Sequence, residues 1–353
     1  MQVGARPEGA LEWLTLQLDL APVPIADTHV AFTAARAIMA GTSLGIFDAI
    51  ADGERSAESI AAACGTDTRA TGALVDCLVA LGYLRLTNGR YENTRRVEKW
   101  LLARSPRSVR DKLLFQRVEW DLLAKLEDFV RTGRGLDLHA TLGQEGWTLY
   151  QDAMRALAVD NAPAIARRIP LPRRAQRMLD IGGSHGLHSA ALCRLHPALR
   201  SEVLELPAAM TRSRSLLERE GLGERVVHRA GDVLRDELGE NAYDLVLVIN
   251  LVHHFSEEQN RALSLRAARA LRPGGLFVIG DIEKGAAPRD AGAIRGTMDL
   301  YFALTSTSGT WGLSTMREWQ KAASLEPLRA IRLLQMPGFV LQLAQKPKRS
   351  PRR

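Results

Sequence analysis

The stretch Met178-Leu179-Asp180-Ile181-Gly182-Gly183-Ser184-His185-Gly186 decides how this chain is read. An apolar run that reaches an acid and then a glycine-rich turn is how an α/β sheet brings main chain against a nucleotide, because residues without a Cβ let a ligand come close. The dinucleotide spacing Gly-x-Gly-x-x-Gly is not met here, so NAD is disfavoured. Downstream, Glu205 stands at the end of a second strand, Gly231-Asp232 follow a third, and Asn250-Leu251-Val252-His253-His254-Phe255 follow a fourth. A strand-end carboxylate about twenty residues past the glycines can accept bonds from both ribose hydroxyls. Asp232 is placed to accept from an adenine amino group with Val233 packed on the ring, and Asp180 either orders the loop or meets the amino-acid end of the ligand. The ordered set points to S-adenosylmethionine.

Around these residues strand and helix alternate. Strands are expected over 177–181, 201–206, 226–230, 243–250 and 276–281, with helices from about residues 187, 208, 257 and 318. The unbroken run Leu245-Val246-Leu247-Val248-Ile249 suits a central strand covered on both faces. Pro273-Gly274-Gly275 reads as a sharp turn from helix into strand. Segments 328–334 and 339–344, joined by Met336-Pro337-Gly338 with no helix between, should pair antiparallel and reverse the edge of a mostly parallel sheet.

Upstream, residues 31–50 read as a helix with small apolar residues on one face, Ser56 as the cap of a short second helix, and Asp67 or Thr68 as the cap of a third ended by Gly82. Asn88-Gly89 between short alternating strands is a hairpin signal. Helix, turn, helix and hairpin together make a winged helix, which raises a ligand-responsive DNA-binding regulator as the alternative from another class. Its third helix offers only Arg69 and Asp76 among apolar residues, where reading base edges needs several long polar side chains, so packing against another subunit is favoured. The expected domains are 1–108, a helical bridge over 109–172 contributing to an acceptor pocket, a ligand-binding domain over 173–345, and a basic disordered tail over 346–353.

The 353 residues carry a net charge of +7, but Lys346, Lys348, Arg349, Arg352 and Arg353 crowd the end of the chain, so charge argues weakly for a nucleic-acid partner. Cys64, Cys77 and Cys193 lack any Cys-x-x-Cys spacing and suit reduced thiols. Glu8, Glu12 and Asp19 interrupt any signal-peptide core, and no segment approaches a membrane span of about 20 apolar residues, so a cytoplasmic protein without a membrane partner is expected. His185 and His188 stand three apart with no further ligand arranged around them, and no metal is expected.

From about residue 30 to 345 the sequence resembles the small-molecule O-methyltransferases that pair a winged-helix dimerisation domain with a class I methyltransferase domain, the group that includes plant phenolic and bacterial polyketide enzymes. The resemblance rests on Asp180 to Gly186, Glu205-Leu206-Pro207, Gly231-Asp232, Val252-His253-His254-Phe255 and Arg272 to Gly275. It implies a Rossmann-like sheet with an antiparallel C-terminal hairpin, a homodimer, S-adenosylmethionine converted to S-adenosylhomocysteine, and Asp180, Gly182, Gly183, Ser184, Gly186, Glu205, Leu206, Asp232, Val233 and Asn250 around that cofactor. His253 falls where the family has its catalytic histidine. A free imidazole titrates at about 6.5 and can take the proton of a phenol or alcohol within hydrogen-bond reach. His254 stands where the family usually has an acid. Asp281 matches the first of two base-orienting acids as a shorter acid, and Leu313 stands at the second, a departure that keeps N- or C-methylation by proximity open. Trp147, Met154, Met298, Phe302 and Trp311 are the expected acceptor contacts, offering flat apolar surface for an aromatic or polyketide acceptor.

Overall fold

The structure, a computed structural model, describes residue 7, residues 9–306 and residues 308–348, with the backbone alone for 288–291. Two compact units divide the chain, Gln2–Val118 and Glu119–Arg353, the division falling inside the helix Arg110–Leu123.

The first unit forms where the sequence supplies caps. Ser56 Oγ accepts from Ser59 N at 3.3 Å at the head of the helix Ala57–Cys64, and Asp67 Oδ1 accepts from Ala70 N at 2.8 Å at the head of Thr68–Ala80. Each such bond satisfies an orphan donor and is worth about 1 kcal/mol. The hairpin follows, β1 (Leu84–Thr87) against β2 (Arg90–Asn93), with both turn residues Asn88 and Gly89 at positive φ as a two-residue turn needs. Phe47, Ile60, Val75, Leu78, Leu84 and Val97 are its buried core. The single helix expected over 31–50 is two: Ala31–Ser43 ends before Gly45, whose φ of 76° starts the separate turn Ile46–Ala49. Within the third helix Asp76 accepts from Tyr91 Oη at 2.7 Å, which spends one of the two polar side chains that might have faced DNA.

The second unit is a twisted sheet flanked by helices. Its parallel part holds β3 (Arg177–Ile181), β4 (Arg200–Glu205), β5 (Val226–Ala230), β6 (Tyr243–Ile249) and β7 (Leu271–Ile282); β8 (Glu326–Pro327), β9 (Ile331–Arg332) and β10 (Phe339–Gln345) complete it. The order β5-β4-β3-β6-β7-β10-β8 puts β3 and β6 side by side with the chain winding away from them in both directions. The crevice at their carboxyl ends is where open α/β sheets bind ligands. Leu245, Val246, Leu247 and Val248 have no exposed surface, and at about 1.5–3 kcal/mol per fully buried aliphatic side chain this strand is a principal stabiliser.

The structure departs from the expected elements at several points. Within the segment 109–172, the helix Gln144–Ala166 sends Ala158, Ala162 and Ile165 into the same core as the sheet strands. Pro273-Gly274-Gly275 lies inside β7, not before it, with Gly274 N donating to Lys346 O at 2.8 Å and Lys346 N to Gly275 O at 2.9 Å. Lys346 therefore belongs to the sheet edge and not to a tail; Arg349, Arg352 and Arg353 lie outside the described residues. The reversed strand is β10, antiparallel to β7, and of the expected 328–334 strand only Ile331–Arg332 forms a ladder with it. The helix Pro288–Thr305 has no counterpart in the expected elements, and the helix expected from 318 starts at Leu313.

Candidate active site

On the β3 side the site is made of backbone. Gly182 N donates to Leu204 O at 2.8 Å, and a Cβ on Gly183 would stand 2.6 and 2.7 Å from atoms of the Asp180 carboxyl and 2.7 Å from Val203, so only glycine fits. Asp180 is fully buried below this turn, its Oδ2 accepting from Ser189 Oγ at 2.7 Å, and Ser201 Oγ donates to Ser189 Oγ at 2.7 Å. Burial raises its carboxyl to about 6, and Oδ1 has no hydrogen-bond partner. Asp180 is thus an anchor for the turn, off the cavity wall.

Ser184 is held at φ 51°, an uncommon conformation for a residue with a side chain, by bonds on three sides. Its N donates to Glu205 Oε2 at 2.8 Å, its carbonyl accepts from His228 Nε2 at 2.7 Å, and its Oγ donates to Gln151 Oε1. Glu205 Oε1 accepts from Leu206 N at 2.7 Å. Each carboxylate oxygen so keeps a second lone pair for a ligand hydroxyl. Burial pushes the Glu205 carboxyl up to about 7 against the pull of these two N–H groups.

A cavity of about 340 Å³ opens here, walled by Ser184, Glu205, Leu206, Asp232, Val233 and Asn250 on one side. Asp232 Oδ1 accepts from Leu234 N at 2.9 Å, and Asn250, at φ 51°, donates its N to Gly280 O at 2.8 Å. Met154 borders a smaller cavity of about 80 Å³ together with Gly182, Gly183 and Asn250. His185 and His188 are buried in the same region, where burial lowers His185 well below the usual range and His188 to about 4. Among the described residues no group of His, Cys, Asp and Glu is placed to hold a metal ion, and no helix is long and apolar enough to cross a membrane.

On the β6 side the site is made of side chains. The short turn Val252–His254 leaves His253 3% exposed, with Nδ1 2.9 Å from each oxygen of Asp281 on β7. Asp281 Oδ1 also accepts from Ile282 N at 2.8 Å, and Phe302 stacks on the imidazole with centroids 3.6 Å apart and planes at 18°. Nδ1–H thus faces the carboxylate, and Nε2 has no partner among the described residues. His254, unlike His253, is on the wall of the large cavity, its Nδ1 2.9 Å from Ser306 Oγ.

Of the expected acceptor contacts, Trp147 lines the large cavity and Met154 the small one. Phe302 covers His253. Trp311 stands behind the histidine turn, its Nε1 donating to Val252 O at 3.0 Å, and Met298 lines neither cavity. Leu313 opens the helix Leu313–Ala322. The sequence reading missed His139, Tyr150, Gln151 and Ser306, all on the large cavity. Only Tyr150 and Gln151 carried a signal, their place within one helical turn of Met154.

Residues 161–324 match the O-methyltransferase domain and residues 27–103 the O-methyltransferase dimerisation domain. The chain is 24% identical over 328 residues to a 3-hydroxy-5-methyl-1-naphthoate 3-O-methyltransferase of Streptomyces sahachiroi, covering 88% of this chain and 91% of that one. It is 28% identical over 281 residues to the N,N-dimethyltransferase OxyT of Streptomyces rimosus, covering 74% and 80%. The solved structure of human N-acetylserotonin methyltransferase in complex with SAM superposes with a TM-score of 0.83 at 19% identity, over 98% of this chain and all of that one. At that identity the likeness speaks for the fold.

Proposed function

The chain belongs to the S-adenosylmethionine-dependent O-methyltransferases that join a dimerisation domain to a methyltransferase domain, and on that premise we propose that it methylates a hydroxyl of a small aromatic or polyketide metabolite with His253 as general base. The residues present fit the cofactor: Gly183 lets the turn pack down onto Asp180 and Val203, where a Cβ would not fit, Glu205 keeps two lone pairs for ribose hydroxyls, and Asp232, Val233 and Leu206 wall the place for adenine. When bound, S-adenosylmethionine supplies an electrophilic methyl on a sulfonium.

The observation that carries the base assignment is the His253–Asp281 pair. Its carboxylate fixes the tautomer with Nδ1–H, leaves Nε2 to accept the hydroxyl proton, and then stabilises the imidazolium that forms. His254 is the poorer base, since burial and its two imidazole neighbours hold its affinity for a proton well below the usual range. Phe302 lies on the face of the imidazole, out of the plane in which the Nε2 lone pair points, and so holds the ring without competing for that lone pair. Trp147 and Met154 offer the flat apolar surface that positions the acceptor.

Two specific observations keep a second reading in play, the aliphatic Leu313 and the similarity to an N,N-dimethyltransferase. One experiment separates them: methyl transfer to hydroxylated and amino-substituted naphthalenes, with the product identified by mass and His253→Ala run in parallel. An ether formed by wild type and lost in the variant supports O-methylation with a base. A methylated amine formed equally by both sinks it.

We propose further that the first unit pairs two copies of the chain. Leu11, Trp13, Leu18 and Ile25 are 79, 53, 57 and 57% exposed, a display of apolar surface that an interface would bury. A monomer by sedimentation at micromolar concentration would contradict it. The three cysteines are free thiols, which fits action in the reducing cytoplasm.

A further inference from the structure

The large cavity has a second end that the cofactor assignment leaves unused. There Trp147 and Tyr150 from the long helix, His139 from the short helix Leu138–Thr141, and His254 with Ser306 form one wall. The rings are packed together: His139 stacks on Trp147 at 5.3 Å and 11°, meets Tyr150 edge-on at 5.0 Å, and lies 4.6 Å from His254. This is flat apolar surface with two imidazoles set into it.

Both imidazoles are uncharged at neutral pH. Burial pushes His139 down to about 4, against the pull of Asp137, and holds His254 well below its ordinary value. The Ser306 hydroxyl makes His254 adaptable. If Oγ donates to Nδ1, then Nε2 carries a hydrogen and can donate; if Nδ1–H donates to Oγ, then Nε2 is an acceptor. Nε2 of His254 has no partner among the described residues, so either form can be turned to a ligand.

The charges around the cavity are of one sign. Asp137, Glu205 and Asp232 line it, and among the described residues no lysine or arginine does. The cofactor's net positive charge is matched by the oxygen that reacts, so a further anion would be buried without a counter-charge, which is costly.

Resting on the methyltransferase reading above, we propose that the His139–His254–Ser306 wall reads the acceptor, and that it takes an uncharged flat aromatic bearing, besides the hydroxyl that is methylated, a second neutral oxygen as hydroxyl or carbonyl. His254 and Ser306 hydrogen-bond that second oxygen, and His139 and Trp147 cover the ring.

The test is calorimetric and does not depend on turnover. The protein is first saturated with S-adenosylhomocysteine, and its binding constant for that compound is recorded for wild type, His254→Phe and Ser306→Ala. Failure to bind it would count against the methyltransferase reading itself. The saturated proteins are then titrated with 2,3-dihydroxynaphthalene, 2-naphthol and 3-hydroxy-2-naphthoate. Wild type should bind the diol about tenfold tighter than either of the others. Both variants should lose the preference for the diol over 2-naphthol while keeping the affinity for S-adenosylhomocysteine; the serine variant, a single-atom change, covers the case in which the phenylalanine variant misfolds. Tighter binding of the naphthoate, an unchanged preference for the diol in Ser306→Ala, or no binding of the diol to saturated wild type would each overturn the proposal.

Discussion

The two halves of the site are built from different materials. After β3 and β4 the working surface is main chain: Gly182 to Gly186 turn under a ligand, and Glu205 is fixed by two backbone N–H groups within hydrogen-bond distance. After β6 and β7 the working surface is side chains drawn from distant segments, His253 on one turn, Asp281 on a strand, Phe302 on a helix, His139 on another. A backbone surface binds what every member of a family binds, while a side-chain surface can be rebuilt for each acceptor. The two halves should therefore fail separately when altered.

The largest expected effect is on the side-chain half. His253→Ala should lower kcat by about 10²–10⁴-fold, the usual contribution of a general base, with the affinity for S-adenosylhomocysteine unchanged. Asp281→Asn should lower kcat less than that, because it removes the orienting charge and leaves the imidazole; equal losses in the two variants would mean that Asp281 does more than orient. On the backbone half, Gly183→Ala drives a Cβ into Asp180 and Val203 and should weaken cofactor binding on the order of a hundredfold, read by calorimetry beside a circular dichroism control.

With Glu205 at the proposed ribose site, cofactor binding is expected to depend on pH. Its carboxyl titrates near 7, and only the ionised form offers acceptors for both ribose hydroxyls. Affinity for S-adenosylhomocysteine should then fall as pH drops from 8 to 6, by at most about tenfold per unit, and Glu205→Gln should flatten that profile. A pH-independent affinity would remove Glu205 from the ribose site. The same raised value acts oppositely on folding: between 4.5 and about 7 the unfolded chain gives up a proton that the folded one keeps, so this group subtracts stability as pH rises through that window.

The smallest effect is expected at Trp311, behind the histidine turn. Trp311→Phe removes the bond to Val252 O and should cost about 1 kcal/mol of stability with a few-fold change in kcat, checked by thermal melting and initial rates. A loss of acceptor affinity instead would restore Trp311 to the pocket.

The difference between the halves also explains what the sequence disclosed. A glycine turn, a strand-end acid and an Asn-Leu-Val-His-His-Phe run are local patterns, and the structure sets them at the carboxyl ends of β3, β4 and β6. The His253–Asp281 pair was legible only through the family resemblance; in the structure it forms because strands β6 and β7 are parallel neighbours, so residues just past and within their carboxyl ends meet. His139 and Ser306 were not legible. They reach the cavity from segments far apart in sequence, and neither has a periodicity or a spacing that marks it. Trp311 and Met298 line neither cavity, and the sequence could not place them, because an aromatic or a methionine is apolar whether it faces a ligand or the core. The helix Pro288–Thr305 was hidden by its weak apolar stripe and by Gly292, whose φ of 65° interrupts the helical run.

The most direct measurement is a titration of S-adenosylhomocysteine into wild type, Glu205→Ala and His253→Ala side by side. The two-part site predicts that Glu205→Ala loses at least tenfold in affinity while His253→Ala binds as wild type does. Equal losses in both variants, or unchanged binding by Glu205→Ala, would contradict it.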